Sequence, residues 1–117
     1  LRFDLLQEIR KKLKIPLVLH GASMVDQGVV RKAKRFGLRI EKSKGIKEQD
    51  LRKAIKLGIS KINVDTDLRI VFTTAMREFM KKHPEDFNPR DALGAAMKEM
   101  QKSIEEHIKI FGSGGKG

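Results

Sequence analysis

The sequence has 117 residues, of which 26 are Lys or Arg and 15 are Asp or Glu, and its formal net charge is +11. This length allows one small domain, and a hydrophobic share of 39% in periodic positions excludes a disordered chain. The absence of cysteine excludes a disulfide framework, a thiolate metal site and a cysteine nucleophile. We also find no long apolar run and no leader-like segment, so we expect a soluble, cytoplasmic protein with no membrane partner.

The predicted elements begin with an amphipathic helix. Apolar residues at intervals of three and four predict this helix over residues 2–13, and Pro16 ends the pattern. The continuous apolar run at 17–19 predicts a strand that is buried on both faces of a parallel sheet. A second helix is predicted over residues 25–36, with Gly37 as its C-terminal cap residue.

The middle of the sequence has no clear period. Residues 38–47 are predicted to form an irregular excursion, with 38–40 as the place for a short extended piece. Beyond it, the spacing predicts a short helix over 51–55 that stops at Gly58, followed by an alternating strand over 59–64.

The longest helical pattern lies in the second half of the sequence. An apolar stripe over residues 68–80 predicts a helix, which Pro84 ends. A last helix is predicted over 89–108, since a proline suits the first helical position. Residues 112–117 are predicted to be a flexible tail.

Strands that alternate with helices predict parallel pairing and an α/β fold. Two parallel strands leave both outer edges unpaired, and such sheets are stable only with further strands beside them and helices over them. We therefore expect either self-association or a larger barrel or open sheet. The start of the sequence at Leu1, within the first predicted helix, favours a longer polypeptide.

Two basic clusters, within residues 10–14 and 31–35, raise the question of nucleic-acid binding. A net positive charge attracts polyanions, but these residues alternate with apolar ones at helical spacing, which is typical of solvated helix faces. A single-strand binder also needs exposed aromatic residues for stacking. The sequence has no Trp or Tyr, and most of its six Phe are at predicted core positions. A basic nucleic-acid-binding module is therefore the alternative, and nucleic acid is not the partner we expect.

Small and polar residues directly follow both predicted strands. They are His20, Gly21 and Ser23 after the first strand, and Asn63, Asp65 and Thr66 after the second. Ligands of α/β proteins bind at the carboxyl ends of parallel strands. Free N–H groups at the start of a helix stabilise an anion there. We therefore predict that the two loops converge on one phosphate.

Each candidate also has a purely structural explanation. A single histidine at a strand end is more often a hydrogen-bonded structural residue than a metal ligand. Residues 65–67 are equally suited to capping the next helix, and Arg90 would ordinarily be a surface arginine. The Met and Phe stripe over 72–80 is predicted to be core. His83 and His107 lie in polar helical contexts, and we predict both to be surface residues.

Four segments of the sequence match a known family, in the same order along the chain. They are PLVLHGAS at 16–23, DLRKAIKLGISKINVDTDLR at 50–69, DFNPR at 86–90 and FGSGGKG at 111–117. Together they resemble the C-terminal portion of class II, metal-dependent fructose-bisphosphate aldolases, including an excursion found in one branch of that family. The family is a TIM barrel. The resemblance implies that residues 1–117 supply the last two barrel strands, their helices and a C-terminal helical extension of one domain.

The resemblance also implies an activity. It is the reversible aldol cleavage of fructose 1,6-bisphosphate to dihydroxyacetone phosphate and glyceraldehyde 3-phosphate, a lyase reaction of glycolysis and gluconeogenesis. In this family a divalent zinc ion polarises the ketose carbonyl. The implied partners are the phosphorylated sugar, the N-terminal part of the barrel and further copies of the subunit in a homo-oligomer.

By the same resemblance, His20 is one of three zinc-binding histidines. Gly21 and Ser23 would bind the dihydroxyacetone phosphate end of the substrate, with Gly21 also near a monovalent cation. The other two zinc histidines and the catalytic aspartate match no segment here, and catalytic zinc needs three protein ligands. We therefore expect this segment by itself to bind metal poorly and to be inactive. Met24 and Asp26 depart from the small residue and the proline that are usual in the family.

The remaining implied contacts come from the second loop and the last helix. Asn63 and Asp65 would contact the dihydroxyacetone phosphate end, and Thr66 would bind its phosphate. Arg90 matches an arginine that reaches the other phosphate, across a subunit interface. The related tagatose-bisphosphate aldolases tend to carry alanine in place of Asp65, so fructose bisphosphate is the main prediction and tagatose bisphosphate the alternative.

Overall fold

The computed structural model describes residues 1–40 and 45–116. Within these residues the predicted helices and strands are all present, in the predicted order. They are α1 (Phe3–Lys12), β1 (Leu17–Leu19), α2 (Gln27–Arg35), α3 (Glu48–Lys56), β2 (Ile59–Ile62), α4 (Thr66–Lys82) and α5 (Pro89–Phe111).

The two strands form a parallel pair, which confirms the predicted pairing and the α/β class. Leu17 lies opposite Ile59, and Leu19 lies opposite Ile62. The pairing continues just past β2, where the Asn63 N–H donates to the Leu19 carbonyl oxygen at 3.1 Å. The carboxyl ends of both strands therefore meet at the same edge.

The prediction that β1 is buried on both faces is wrong for the described residues. Val18 is 45% exposed, and Leu17 and Leu19 are half-buried. The amphipathic helix α1 has no buried residue, and its Leu5 is 47% exposed. The reason is that no third strand or further helix layer lies against these faces in the described part of the chain.

The hydrophobic core lies mainly between α2 and α4, and α5 packs along α4. The α3 helix adds Leu51 and Ala54, both fully buried, where it packs against β2 and α5. The core cluster and the residues packed on it are Val25, Val30, Ala33, Ile70, Val29, Leu38 and Ile40.

The α2 helix begins two residues later than predicted, at Gln27 rather than at Val25. Asp26 accepts a hydrogen bond from the Val29 N–H at 3.0 Å, so the helix begins at Gln27. Val25, predicted as helical, lies before this cap with φ 47 and is buried. Asp26 is therefore the N-cap of α2.

The last helix begins at the predicted proline and runs three residues past the predicted end at 108, to Phe111. The Asn88 carboxamide oxygen accepts from the Arg90 N–H at 3.2 Å, with Pro89 in the first turn. Gly112, in the left-handed conformation with φ 69, ends the helix. The flexibility of residues 112–117 stays a prediction, and Gly117 lies outside the described residues.

The excursion after α2 contains no strand among its described residues. Over 38–40, where an extended piece was predicted, the Leu38 N–H donates to the Ala33 carbonyl oxygen at 3.0 Å, and Leu38 and Ile40 pack on the core. The turn that closes α2 lies at 36–37, and residues 38–40 belong to no strand. Residues 41–44 of the predicted excursion lie outside the described residues.

The surface confirms one prediction and corrects another. The basic residues of 10–14 and 31–35 are exposed, as their spacing predicts. Met80, predicted to be core, is 55% exposed, because no described element covers this last part of α4. Phe87 is 97% exposed, so it is not a core phenylalanine. In the described ranges, no helix combines the length and the apolar composition needed to cross a membrane.

Candidate functional site

The residues that follow β1 and β2 lie next to each other. Asn63 Nδ2 is 3.1 Å from His20 Nδ1, so the two strand tips are joined by a side-chain hydrogen bond as well as by the backbone pairing. The His20 side chain is exposed, and its Nε2 has no hydrogen bond to any described residue. The predicted convergence of the two loops is confirmed, while their binding roles stay predictions.

The loop after β1 turns sharply at Gly21. This residue has φ 62, a left-handed conformation that favours glycine, whereas a Cβ there would meet no atom within 4 Å. The turn buries Ala22 and leaves Ser23 half-buried. The Ser23 carbonyl oxygen accepts from the Ile46 N–H at 3.0 Å, which ties the loop to the segment before α3.

The backbone of Gly45 lies directly against this loop. A Cβ at position 45 would lie 1.8 Å from the Met24 carbonyl oxygen and 2.9 Å from the Val25 nitrogen. No side chain fits at such distances, so a glycine is required here by close approach. Gly45 lies within the irregular excursion predicted over 38–47, where its sequence context gave no sign of this role.

The first turn of α4 holds the loop from its other side. Asp67 is 7% exposed, and both of its carboxylate oxygens accept from loop amides. The Met24 N–H donates to Oδ2 at 2.9 Å, and the Val25 N–H donates to Oδ1 at 2.8 Å. Since φ of Val25 is 47, which is unfavourable for a β-branched residue, these hydrogen bonds hold a strained turn.

His107 of α5 completes this arrangement. Its Nε2 lies 3.2 Å from Asp67 Oδ2, and its Nδ1 lies 2.6 Å from the Ser103 carbonyl oxygen. A carbonyl oxygen and an ionised carboxylate can only accept, so both contacts are satisfied when the ring is protonated and donates from both nitrogens. Asp67 and His107 therefore form a buried ion pair that joins α4 to α5.

The prediction that His107 is a surface residue is wrong, because this side chain is 8% exposed. Its polar neighbours in sequence suggested a solvated position. The helical period gives a better signal: His107 follows the buried Ala96 by about three turns, on the same face of α5. His83, also predicted to be at the surface, is exposed.

The pair shifts the pKa of both groups. The hydrogen bond to Asp67 raises the pKa of His107, against the opposing effect of burial, and the Ser103 carbonyl adds to the rise. Burial alone would raise the pKa of Asp67, but hydrogen bonds from His107 and from the Val25 and Met24 amides together hold it below its ordinary value. Both groups are thus stabilised in their charged forms.

We expect this pair to make the stability of the chain depend on pH. The raised pKa of His107 gives a contribution that is complete below 6.5, its ordinary value, and is lost as pH rises through the folded-state value. The lowered pKa of Asp67 gives a contribution that is present above 3.8 and is lost as pH falls through the folded-state value. Urea unfolding should therefore show less stability above pH 6.5.

The control for this prediction compares substitutions at a buried and at an exposed histidine. The His107→Gln variant should lose the decline in unfolding free energy on the alkaline side, whereas His83→Gln, at an exposed position, should keep it. An unchanged pH profile in His107→Gln would show that the pair does not carry this dependence.

The side chains that follow β2 do not cap α4, although capping was the alternative explanation for residues 65–67. Asp65 is at the N-cap position of α4, but its side chain makes no capping hydrogen bond. Its Oδ1 accepts from Arg69 Nε at 2.8 Å, and the carboxylate is exposed. Thr66, the first residue of α4, is also exposed. Asp67 likewise turns back to the first loop rather than capping its own helix.

Arg90 makes no hydrogen bond to the strand tips among the described residues. It is exposed in the first turn of α5, where its backbone N–H is held by Asn88. Among the described residues, its guanidinium makes no hydrogen bond or ion pair, and none joins it to His20 or Asn63. Its role at a phosphate stays a prediction.

The metal-binding potential of the described residues rests on His20. Across residues 1–40 and 45–116, no group of three or more His, Cys, Asp or Glu side chains could hold a metal ion. An exposed imidazole with an uncommitted nitrogen fits zinc chemistry, which favours nitrogen ligands. The role of His20 as a zinc ligand stays a prediction, and a catalytic zinc site would need ligands beyond the described residues.

Comparison with known proteins identifies similar chains. The family model described as "Fructose-bisphosphate aldolase class-II" matches residues 1–116. The fructose-bisphosphate aldolase of Thermus caldophilus is 44% identical over 111 residues, which are 95% of this chain and 36% of that relative. The fructose-bisphosphate aldolase of Treponema pallidum is 41% identical over 118 residues, covering 99% of this chain and 36% of the relative.

A relative with a different printed activity is also similar. The sulfofructosephosphate aldolase of Alkalicoccus urumqiensis is 37% identical over 113 residues, which cover 97% of this chain and 32% of the relative. The chain thus spans about a third of the length of the curated relatives it matches.

Proposed function

The chain belongs to the class II fructose-bisphosphate aldolase family, and from this we propose that it supplies one zinc histidine and the phosphate-binding loops of an aldolase active site. The reaction is the reversible cleavage of fructose 1,6-bisphosphate to dihydroxyacetone phosphate and glyceraldehyde 3-phosphate. The observation that carries the proposal is the hydrogen bond between His20 and Asn63, which joins the two loops at one edge of the sheet.

We infer that β1 and β2 are the last two strands of a TIM barrel, the fold of this family. Residues 1–117 would then be the C-terminal segment of one barrel domain, with α5 as a helical extension. The exposed apolar residues Leu5 and Val18 support this, because neighbouring strands and helices of a barrel would cover them.

In the proposed site, His20 is one of three histidines that hold zinc, and the bound ion would polarise the ketose carbonyl. The Asn63 carboxamide lies at His20 Nδ1. With zinc on Nε2, the carboxamide oxygen rather than Nδ2 would face Nδ1 and accept its N–H, as the partners of metal-bound histidines do. The other ligands and the catalytic aspartate would come from the rest of the barrel. The 117-residue chain by itself would therefore be inactive.

The loops would bind the dihydroxyacetone phosphate end of the substrate. Thr66 begins α4, so its hydroxyl and the free N–H groups of that helix end suit a phosphate. Gly21 and Ser23 would add contacts from the first loop, with a monovalent cation near Gly21. The exposed Asp65 carboxylate, together with Asn63, would accept from and orient substrate hydroxyls.

The other substrate phosphate is assigned to Arg90. Its guanidinium is exposed and can bind a phosphate through two parallel hydrogen bonds. Since it makes no contact with the strand tips among the described residues, we propose that it acts in a neighbouring subunit of a homo-oligomer. The absence of cysteine from the sequence supports a cytoplasmic enzyme of glycolysis and gluconeogenesis.

Three assays on the complete enzyme test the proposed substrate. We expect chelator-sensitive, zinc-restored cleavage of fructose 1,6-bisphosphate, with kcat/KM exceeding that for tagatose 1,6-bisphosphate by about tenfold or more. Sulfofructose phosphate is the third substrate, because one relative carries that name. The isolated 117-residue chain is the negative control.

The outcomes separate the alternatives. No cleavage of fructose 1,6-bisphosphate by the zinc-loaded enzyme would refute the proposal, and preference for either other sugar would reassign the substrate. The nucleic-acid alternative instead requires steeply salt-dependent binding to DNA or RNA.

A further inference from the structure

The proposed chemistry leaves one buried ion pair without a role. Asp67 and His107 are 7% and 8% exposed, although aspartate is rarely buried without a partner and histidine is of intermediate burial. Burying two charges is costly, and replacing such a pair by apolar residues often leaves stability unchanged or improves it. A contribution to stability alone is therefore a weak explanation for this pair.

The contacts of Asp67 point to the first loop. Its two oxygens accept from the N–H groups of Met24 and Val25, which directly follow the loop residues His20 to Ser23. The turn at Val25 has a positive φ, so it needs these hydrogen bonds to persist. The carboxylate thus fixes the downstream end of the loop that carries the proposed zinc and phosphate contacts.

The contacts of His107 link the Asp67 carboxylate, and through it the loop, to α5. Its Nε2 donates to Asp67 Oδ2, the same oxygen that accepts from the Met24 N–H. Its ring is fixed in turn by the Ser103 carbonyl oxygen. A continuous set of hydrogen bonds therefore runs from α5 through the ion pair to the loop.

We propose that Asp67 and His107 are positioning residues, with Asp67 holding the turn at Met24 and Val25 and His107 holding the Asp67 carboxylate in place. Together they set the loop from His20 to Ser23 in its ligand-binding geometry. Neither touches substrate. The inference rests on the proposed function, since it assumes that this loop binds a phosphate.

The first test uses the complete enzyme and inorganic phosphate as a competitive inhibitor. His107→Ala should raise both the KM for fructose 1,6-bisphosphate and the inhibition constant of phosphate by about tenfold, because the carboxylate loses its donor. His107→Gln, which keeps a donor group, should recover most of the lost affinity.

Thr74→Ala is the matched control for a general loss of stability. Thr74 is buried in α4, and its hydroxyl donates to the Ile70 carbonyl oxygen within the same helix. This variant should keep the KM and the phosphate inhibition constant of the unmodified enzyme. A folded His107→Ala enzyme with unchanged KM would overturn the inference and leave the proposed function intact.

A second measurement needs no activity and covers the case in which His107→Ala does not fold. Hydrogen exchange of the Met24 and Val25 amides should be about tenfold faster in His107→Asn than in the unmodified protein, relative to amides within α4. Equal exchange at both amides would also overturn the inference. Faster exchange in a protein without aldolase activity would refute the proposed function alone.

Discussion

Replacing His20 by alanine in the complete enzyme is expected to remove bound zinc and to lower kcat for fructose 1,6-bisphosphate by about three orders of magnitude or more. The reason is that Lewis-acid stabilisation supplies several kcal/mol to the transition state, and each 1.36 kcal/mol is about tenfold in rate. Zinc content by elemental analysis and steady-state kinetics on the same sample check both parts of this result.

His83→Ala is the control for this prediction. His83 is exposed at the C-terminal end of α4, and within the described ranges no hydrogen bond or ion pair joins it to the strand tips. That variant should keep stoichiometric zinc and full activity. A His20→Ala enzyme with undiminished zinc and kcat would show that the strand-tip histidine is not a metal ligand.

The second large effect is expected from adding one methyl group at Gly45. In Gly45→Ala, the new Cβ would lie 1.8 Å from the Met24 carbonyl oxygen, a backbone atom that cannot turn away as a side chain can. One of the two segments must move, and we expect the free energy of unfolding of the chain to fall by about 3 kcal/mol. Urea denaturation measures this change.

Gly94→Ala is the matched control, and we expect it to raise the free energy of unfolding rather than to lower it. Gly94 lies within α5, and a Cβ there would meet no atom within 4 Å. Alanine is the better helix former, so this variant should gain up to about 1 kcal/mol. If Gly45→Ala were as stable as Gly94→Ala, the close approach of the two segments would be wrong.

The local pattern of the sequence was sufficient to predict every described helix and strand. The stripe over 68–80 and the proline at the start of α5 are local signals, because helix period and cap chemistry depend on residues a few positions apart. The same period predicted the helix α1 correctly. It gave no information on what covers the apolar face of that helix, and Leu5 is 47% exposed here.

The candidate site was predictable only in part, for a physical reason. Parallel pairing brings the ends of neighbouring strands together, so the proximity of His20 and Asn63 followed from topology. The Asp67–His107 pair joins residues 40 positions apart on two helices, and its existence depends on how α4 packs against α5. Nothing in the polar context of His107 signals that packing.

Gly45 shows the same limit in another form. A glycine within an irregular segment is consistent with many turns, and only the approach of the Met24 backbone reveals why a side chain is excluded. The prediction that β1 is buried was wrong for a different reason. An apolar run indicates that a strand favours a buried position, but it does not show which neighbouring strands and helices are present. Val18 therefore remains 45% exposed in the described part of the chain.

The most direct test of the account locates the metal itself. Anomalous scattering at the zinc edge, from crystals of the complete enzyme, should place the ion at about 2.0–2.1 Å from a ring nitrogen of His20. Two further histidines from the rest of the barrel should complete its protein ligands, and the tip of β2 at Asn63 should adjoin the site. Zinc bound at a distance from the tips of β1 and β2, with the His20 ring outside its coordination sphere, would contradict the account.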